Sequence, residues 1–146
     1  MEEIKRKIEQ LLLKTQKPAR YIGGEHGSVV KDKSEVDVRF AFCFPDVYDV
    51  GMSHLGMKIL YGLKNSVPNW WCERVFMPEK DFEAHMRENN IPLYALESLD
   101  PLTEFDFIGF TLQYELSYTN VLAMLDLAGL PIYAKDRKAL TPIVVG

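Results

Sequence analysis

The sequence predicts an α/β fold built on a doubly wound, mostly parallel sheet. Strand-like and helical patterns alternate from residue 36 onward, and this alternation is typical of strand-helix-strand units with right-handed connections. Two strand-like runs, at residues 37–44 and 106–112, are apolar on both faces. Central strands of a parallel sheet have this property because helices cover both of their faces. With 146 residues, 47% of them hydrophobic, the chain has enough apolar surface for one globular domain.

Residues 1–35 are predicted to form an arm that packs on the main fold. Residues 2–14 indicate a helix, because their apolar residues form a single stripe between charged ones: Ile4, Ile8, Leu11 and Leu12. Pro18 ends this helix, and "RYIGGEHGSVVKDKSE" then indicates a hairpin or an irregular turn.

Residues 36–146 are predicted to form the α/β domain. Its elements in chain order are a strand at 36–44, a helix at 51–65, a strand at 70–78, a helix at 79–90, a strand at 92–98, a strand at 105–112, a helix at 113–131 and a strand at 142–146. The last strand stops abruptly, so we expect the chain to be a piece of a longer protein.

Composition excludes several classes of function. The 17 basic and 21 acidic side chains give a net charge of −4, and basic residues cluster only in the first 20, which argues against direct binding of nucleic acid. That N-terminal stretch mixes charges into every turn and therefore resembles neither a signal peptide nor a membrane span. Cys43 and Cys72 lie in apolar surroundings, as free thiols of a cytoplasmic protein do. No pair of closely spaced cysteines exists, so these residues predict no iron-sulfur or four-cysteine zinc site.

Two familiar phosphate and phosphoryl sites are excluded by spacing. In "GMSHLGMK", Met57 separates the glycine from the lysine and Ile59 replaces the magnesium-binding hydroxyl, so the segment is not a phosphate-binding loop. Asp46, Asp100 and Thr111 suggest a phospho-acceptor receiver domain. However, Asp100 and Thr111 are too close in sequence for the helix that should separate their strands.

Polar residues and one glycine gather where the predicted strands end. Ligands of open parallel sheets bind outside these carboxyl ends, so we expect the site there, although loops are also polar simply because they are solvated. The candidate binding residues are Asp46, Tyr48, Gly51, Ser53 and His54 after the first strand, Glu97 and Ser98 after the third, and Thr111, Gln113, Tyr114 and Glu115 after the fourth. An independent small-molecule enzyme is an alternative, with Asp46, Asp49, Glu97 and Glu115 as acids and bases.

The chain resembles a known family along nearly its whole length. The residues that carry the resemblance are "ARYIGGE", "FPDVYDVGMSHLGMKILYGLKN", "ERVFMP", "PLYALES", "FDFIGFTLQYELSYTNVLAMLDLAGLP" and "PIVVG". They are similar to the N-terminal cobalamin-binding-like domain of radical S-adenosylmethionine proteins. "GMSHLG" and "FTLQYELSYTN" are the specific parts of the match.

The resemblance implies a flavodoxin-like, Rossmann-type domain. In the parent protein a barrel should follow, whose C-x-x-x-C-x-x-C loop binds a [4Fe-4S] cluster and S-adenosylmethionine. This chain has no such loop, so we expect no catalysis from these residues alone, and we expect the downstream barrel to be their partner.

Cobalamin is the cofactor that the resemblance implies for the domain itself. The familiar cobalamin motif is D-x-H-x-x-G, but "MSHLGM" has Met52 in place of the aspartate and Met57 in place of the glycine. We therefore expect His54 to lie in a loop or a first helical turn, without ligating cobalt. Two hypotheses remain open: a corrinoid-binding accessory domain, or a cofactor-free packing or interaction domain of the same ancestry.

Overall fold

The computed structural model describes residues 2–140 and 142–146 and has a parallel sheet with helices on both faces. The strands are β1 (Val38–Phe44), β2 (Trp70–Phe76), β3 (Phe107–Phe110) and β4 (Ile143–Val145), in the spatial order β2-β1-β3-β4. The helices are α1 (Glu2–Leu12), α2 (Tyr48–Ser53), α3 (Leu55–Asn65), α4 (Lys80–Glu88) and α5 (Tyr118–Leu127). This is the predicted α/β class, and its strand order follows the flavodoxin-like pattern.

The two central strands are those that the sequence predicts. β1 pairs with both β2 and β3, and β3 pairs with both β1 and β4. Alternate residues of β1 point to opposite faces: Phe42 packs with Met57 of α3, whereas Ala41 packs among residues of α4 and α5. Both faces of β1 are therefore buried, which explains its continuous apolar sequence.

The predicted strand at 92–98 is wrong. Within this segment Tyr94 makes only an isolated bridge, to Pro101. The segment instead runs beside the outer edge of β2, where the Leu96 N–H donates to the Arg74 carbonyl at 2.9 Å. Just after the segment, Leu99 adopts a left-handed conformation with φ of 59°, and its N–H donates to the Ala95 carbonyl at 2.9 Å, so the chain turns there.

Of the predicted helices, one is divided into two and another is shorter than its sequence pattern suggests. The helix predicted at 51–65 is divided into α2 and α3, because His54 has an extended backbone with φ −80° and ψ 111°. The helix predicted at 113–131 begins only at Tyr118, after extended Tyr114 and a 3-10 turn at Glu115–Ser117. Residues 21–35 contain no hairpin; they form an irregular segment with a 3-10 turn at Lys33–Glu35.

The N-terminal arm shares the core of the sheet. Ile8 and Leu11 of α1 are buried in the cluster that covers the α4 and α5 face, and the Tyr21 ring stacks on Phe82 with centroids 4.0 Å apart. None of the helices in the described part of the chain has the length and apolar character needed to cross a membrane.

Candidate functional site

Side chains from two loops meet at the carboxyl edge of the central strands. Asp46 follows β1 and Tyr114 follows β3, and the Tyr114 hydroxyl donates to Asp46 Oδ2 at 2.8 Å. This bond to a carboxylate raises the pKa of Tyr114. Asn120 of α5 donates from Nδ2 to the Pro45 carbonyl at 2.9 Å. The strand order reverses between β1 and β3, so these bonds bridge the crevice where a ligand of this fold is expected.

Most of the predicted residues after β3 are exposed. Gln113, Tyr114 and Glu115 face solvent. Thr111 differs, because its Oγ1 is buried and has no hydrogen-bond partner among the described residues. Large apolar side chains also point outward from this segment and the helix that follows it: Leu112, Leu116, Tyr118 and Leu122.

An aromatic side chain covers Gly109 within the sheet. Gly109 of β3 has no side chain, and a Cβ added there would lie 2.4 Å from Cζ of Phe40. The Phe40 ring lies across β3 and stacks on Phe107 with centroids 6.1 Å apart. The room that Gly109 leaves is therefore occupied by an aromatic ring.

His54 has a structural contact at the start of α3. Its Nδ1 accepts a hydrogen bond from the Met57 N–H at 3.1 Å, which caps the helix. An imidazole that accepts at Nδ1 carries its proton on Nε2, so Nε2 has no lone pair to offer a metal. The His54 ring also packs on Phe44 with centroids 5.3 Å apart.

The other candidates in α2 contact the core or their own helix. Gly51 is buried, and a Cβ there would lie 2.2 Å from Cε1 of Phe76. Ser53 donates from Oγ to the Asp49 carbonyl at 2.7 Å. The Tyr48 ring packs edge-on against Phe76, and burial, together with the Glu25 carboxylate, raises the pKa of its hydroxyl.

Glu97 and Ser98 lie away from this edge, which corrects the expectation that they follow a strand. Glu97 has no exposed side-chain surface; it accepts from Arg74 Nε at 2.6 Å and from the Arg74 N–H at 2.7 Å. Burial raises the pKa of Glu97, and the charge of Arg74 offsets part of this effect. Ser98 accepts from Arg39 Nη2 at 3.1 Å. The structure therefore separates these two residues from Asp46, and their role in binding stays a prediction.

Arg74 is the centre of a buried cluster that the sequence analysis missed. Its Nη2 contacts Glu25 Oε2 at 3.1 Å and Ser28 Oγ at 2.7 Å, and its guanidinium lies 4.7 Å from the Tyr61 ring centroid. Burial lowers the pKa of Arg74, but the attraction of Glu97 outweighs burial, so the net shift is upward. The available signal was the pair of charges inside the apolar strand "WWCERVF".

A second buried cluster surrounds Arg39 on the opposite face of the sheet. Arg39 Nη2 lies 2.5 Å from Glu73 Oε1, and Nη1 lies 2.9 Å from Asp100 Oδ2. Lys33 also pairs with Asp100. In the sequence, this cluster could have been predicted from the arginine inside the apolar strand "VDVRFAF". Both clusters join the sheet to segments at its β2 side.

The residues at the carboxyl edge do not fit a corrinoid whose cobalt takes a protein imidazole. His54 Nδ1 accepts from the Met57 N–H, whereas a metal-ligating imidazole donates from its second nitrogen to a carboxylate or carbonyl partner. Within residues 2–140 and 142–146, no group of three or more His, Cys, Asp or Glu side chains could hold a metal ion.

Comparison with known families agrees with the resemblance. Residues 56–146, more than half of the chain, match the family described as radical SAM proteins, N-terminal. The chain belongs to this family. The predicted relation to radical S-adenosylmethionine proteins is thereby confirmed, whereas the cobalamin-binding role stays a prediction. No curated protein and no solved structure matches the chain.

Proposed function

We propose that the chain is an N-terminal accessory domain that packs on the catalytic iron-sulfur domain of a radical S-adenosylmethionine protein. The observation that carries this proposal is a set of exposed apolar side chains at the carboxyl edge, here called the edge patch: Leu112, Tyr114, Leu116 and Tyr118. Membership of the radical SAM N-terminal family supports a radical S-adenosylmethionine catalytic domain as the partner.

The edge patch has the properties of an interaction surface. Four large side chains are exposed within seven residues, and Leu116 is 83% exposed. Soluble proteins rarely leave such apolar groups together in water unless something covers them. The hydrogen bond between Tyr114 and Asp46 ties the segment to β1, so the patch is held on a rigid edge. A preorganised surface loses little conformational entropy when its partner binds.

The geometry does not favour an independent acid-base enzyme. Asp46 is hydrogen-bonded to Tyr114 at the carboxyl edge, whereas Glu97 is paired with Arg74 beside β2. Asp49 pairs with Arg20 at 2.5 Å. These carboxylates have separate partners, so they do not converge on one point where a substrate could react.

Co-purification of the chain with the separately expressed catalytic domain of its parent protein tests the proposal. We expect a complex with the unaltered chain and its loss with Leu116→Arg, because an arginine at the centre of an apolar interface is desolvated without a counter-ion. Leu13→Arg is the matched control, since Leu13 is also exposed but lies just after α1, in the N-terminal arm. Failure to form a complex, or equal weakening by both substitutions, would contradict the proposal.

A visible spectrum separates this proposal from the corrinoid-binding hypothesis. The chain is incubated with hydroxocobalamin and desalted, and we expect no retained corrinoid absorbance, because the chain lacks the D-x-H-x-x-G motif and its His54 Nδ1 caps α3. Retained absorbance would instead favour the corrinoid-binding accessory domain. In that case His54→Ala should leave the cobalt bands unchanged, because His54 Nδ1 is committed to the Met57 N–H.

A further inference from the structure

A cavity of about 370 Å³ lies on the α3 face of the sheet, beside β2 and away from the edge patch. Its wall comes from the segment 26–29, from α2, from α3 and from Arg74 of β2. A volume of this size is in the range that holds small organic ligands. We call it the Arg74 cavity.

The charged side chains that line the Arg74 cavity are basic. They are Arg74 and Lys58. The carboxylates that pair with Arg74, Glu25 and Glu97, are not among its lining residues. A ligand in the cavity would therefore contact the basic side chains, whereas the two carboxylates contact the Arg74 guanidinium from outside the cavity lining. This arrangement favours an anion over a cation.

One nitrogen of the Arg74 guanidinium, Nη1, donates to a weak hydrogen-bond acceptor. The Arg74 side chain is only 9% exposed, and its Nε and Nη2 contact carboxylate and hydroxyl oxygens. Within the described residues, its Nη1 donates to the sulfur of Met52 at 3.3 Å. A thioether is a weak acceptor, and Nη1 carries two N–H groups. A carboxylate or phosphate oxygen would be a much stronger partner for this nitrogen.

The rest of the wall is apolar and adaptable. Met52, Met57 and Tyr61 line the cavity together with Val29. Methionine side chains are flexible and polarisable, so they pack against apolar groups of varied shape. Gly62 of α3 also lines the cavity, and a Cβ there would meet no atom within 4 Å.

We propose that the Arg74 cavity binds a small organic anion, a carboxylate or a phosphate monoester with an apolar body. The acid group contacts Arg74 Nη1 and Lys58, and the apolar body packs on the two methionines and Tyr61. This site is separate from the edge patch, since the two share no residue. Failure of one proposal therefore leaves the other intact.

Methionine methyl NMR of the 146-residue chain tests the proposal with benzoate and phenyl phosphate as probes. We expect saturable shifts of the Met52 and Met57 methyl signals at probe concentrations up to about 10 mM, where weak ligands bind. Met124 lies in the core on the other face, so its signal should not move. Neutral benzyl alcohol should give at most weak shifts, because it lacks the acid group. A larger response to one of the two anions identifies the preferred acid group.

Two pairs of variants locate the site. Lys58→Ala should weaken binding about two- to five-fold, the size of an exposed charge contribution, whereas Lys64→Ala on the same helix should not. Gly62→Phe should abolish the shifts by filling the cavity, and Gly62→Ala should retain them. An unchanged Met124 signal shows that each variant is folded. Absence of saturable shifts, equal shifts with benzyl alcohol, or equal effects of the two lysine variants would overturn the proposal.

Discussion

At the residue scale, the packing around the sheet depends on two arginines of its strands, and each of them forms ion pairs with carboxylates. Arg74 pairs with Glu97 and Glu25, and Arg39 pairs with Glu73 and Asp100. Burying such groups is costly, and removal of one partner leaves a charge without compensation. Each carboxylate therefore contributes to the position of its arginine, and Arg74 in turn forms part of the cavity wall.

Glu97→Gln should destabilise the protein by about 3 kcal/mol, because it leaves the Arg74 guanidinium with less compensating charge in a buried site. Urea unfolding of both variants at pH 7 measures the effect. Glu115→Gln is the control and should change the free energy of unfolding by less than about 0.5 kcal/mol, since Glu115 is exposed. Equal stability of the two variants would show that the Arg74 cluster contributes little.

Asp100→Asn should lower stability in a pH-dependent way. Burial raises the pKa of Asp100, but the hydrogen bond from Lys33 and the charge of Arg39 outweigh it, so the net pKa is lowered. A lowered pKa means that ionised Asp100 stabilises the fold above its unfolded pKa of about 4, and that this contribution is lost as pH falls through the lowered value. The difference in urea midpoint between Asp100→Asn and the unaltered chain should therefore be large at pH 7 and shrink below pH of about 4. Asp136→Asn, at an exposed position, should show no such trend, and a difference that stays constant with pH would refute the role of Asp100.

At the element scale, the junction of α2 and α3 is built from caps and close packing. His54 ends one helix and caps the next, while Gly51 lets α2 approach Phe44 and Phe76. These contacts hold α3 against β1 and β2 and place Lys58 and Tyr61 in the wall of the Arg74 cavity. The junction "VGMSHLG" therefore has a structural explanation for both its histidine and its first glycine.

His54→Ala should cost about 1 kcal/mol, because the Met57 N–H loses its acceptor. His54→Asn should retain most of the stability, since asparagine is a preferred helix cap. Thermal unfolding of the two variants measures the difference. If asparagine were no better than alanine, the cap would not be the role of this residue.

Gly51→Ala and Gly62→Ala should have opposite effects on stability. A methyl group at Gly51 would lie 2.2 Å from the Phe76 ring, so we expect a loss of about 1–3 kcal/mol from overpacking. Gly62 has open space around its Cβ position within α3, so alanine should stabilise the helix by about 0.5–1 kcal/mol. Urea midpoints that shift in the same direction would contradict this difference in packing.

At the scale of the whole molecule, the N-terminal arm completes the core rather than extending from it. Ile8 is 1% exposed and packs in the same cluster as Phe82 and Met86 of α4. The backbone N–H of Gln16 donates to Asp81 Oδ2 at 2.9 Å, which ties the segment after α1 to α4. The described residues of the arm and of the α/β domain thus share a hydrophobic cluster, and the boundary between them as separate domains stays a prediction.

Ile8→Ala should destabilise the protein by about 2–5 kcal/mol, because it removes buried methyl groups and leaves a cavity. Leu13→Ala, only five residues later but 90% exposed, should change stability by less than about 0.5 kcal/mol. Chemical denaturation measures both. A small effect of Ile8→Ala would show that the arm is not part of the core.

Local patterns in the sequence were enough to predict the class of the fold and its central strands. The apolar runs of β1 and β3, the stripe of α1 and the alternation of strands with helices are local patterns, and local patterns reflect which faces of an element are buried. The polar residues after β1 and β3 were likewise placed at the carboxyl edge, because parallel strands end on the same side.

Contacts between side chains that are distant in sequence could not be predicted from these patterns and are seen in the three-dimensional structure. The pattern at 92–98 predicts a strand, yet the segment is an irregular connection in which Glu97 pairs with Arg74 and after which Leu99 turns the chain. The Arg74 cluster joins residues 46 and 49 positions apart in sequence, and its cavity forms from segments that the arm and α3 bring together. Periodicity reports how each element is buried, but it carries no information about which charges face each other across the fold.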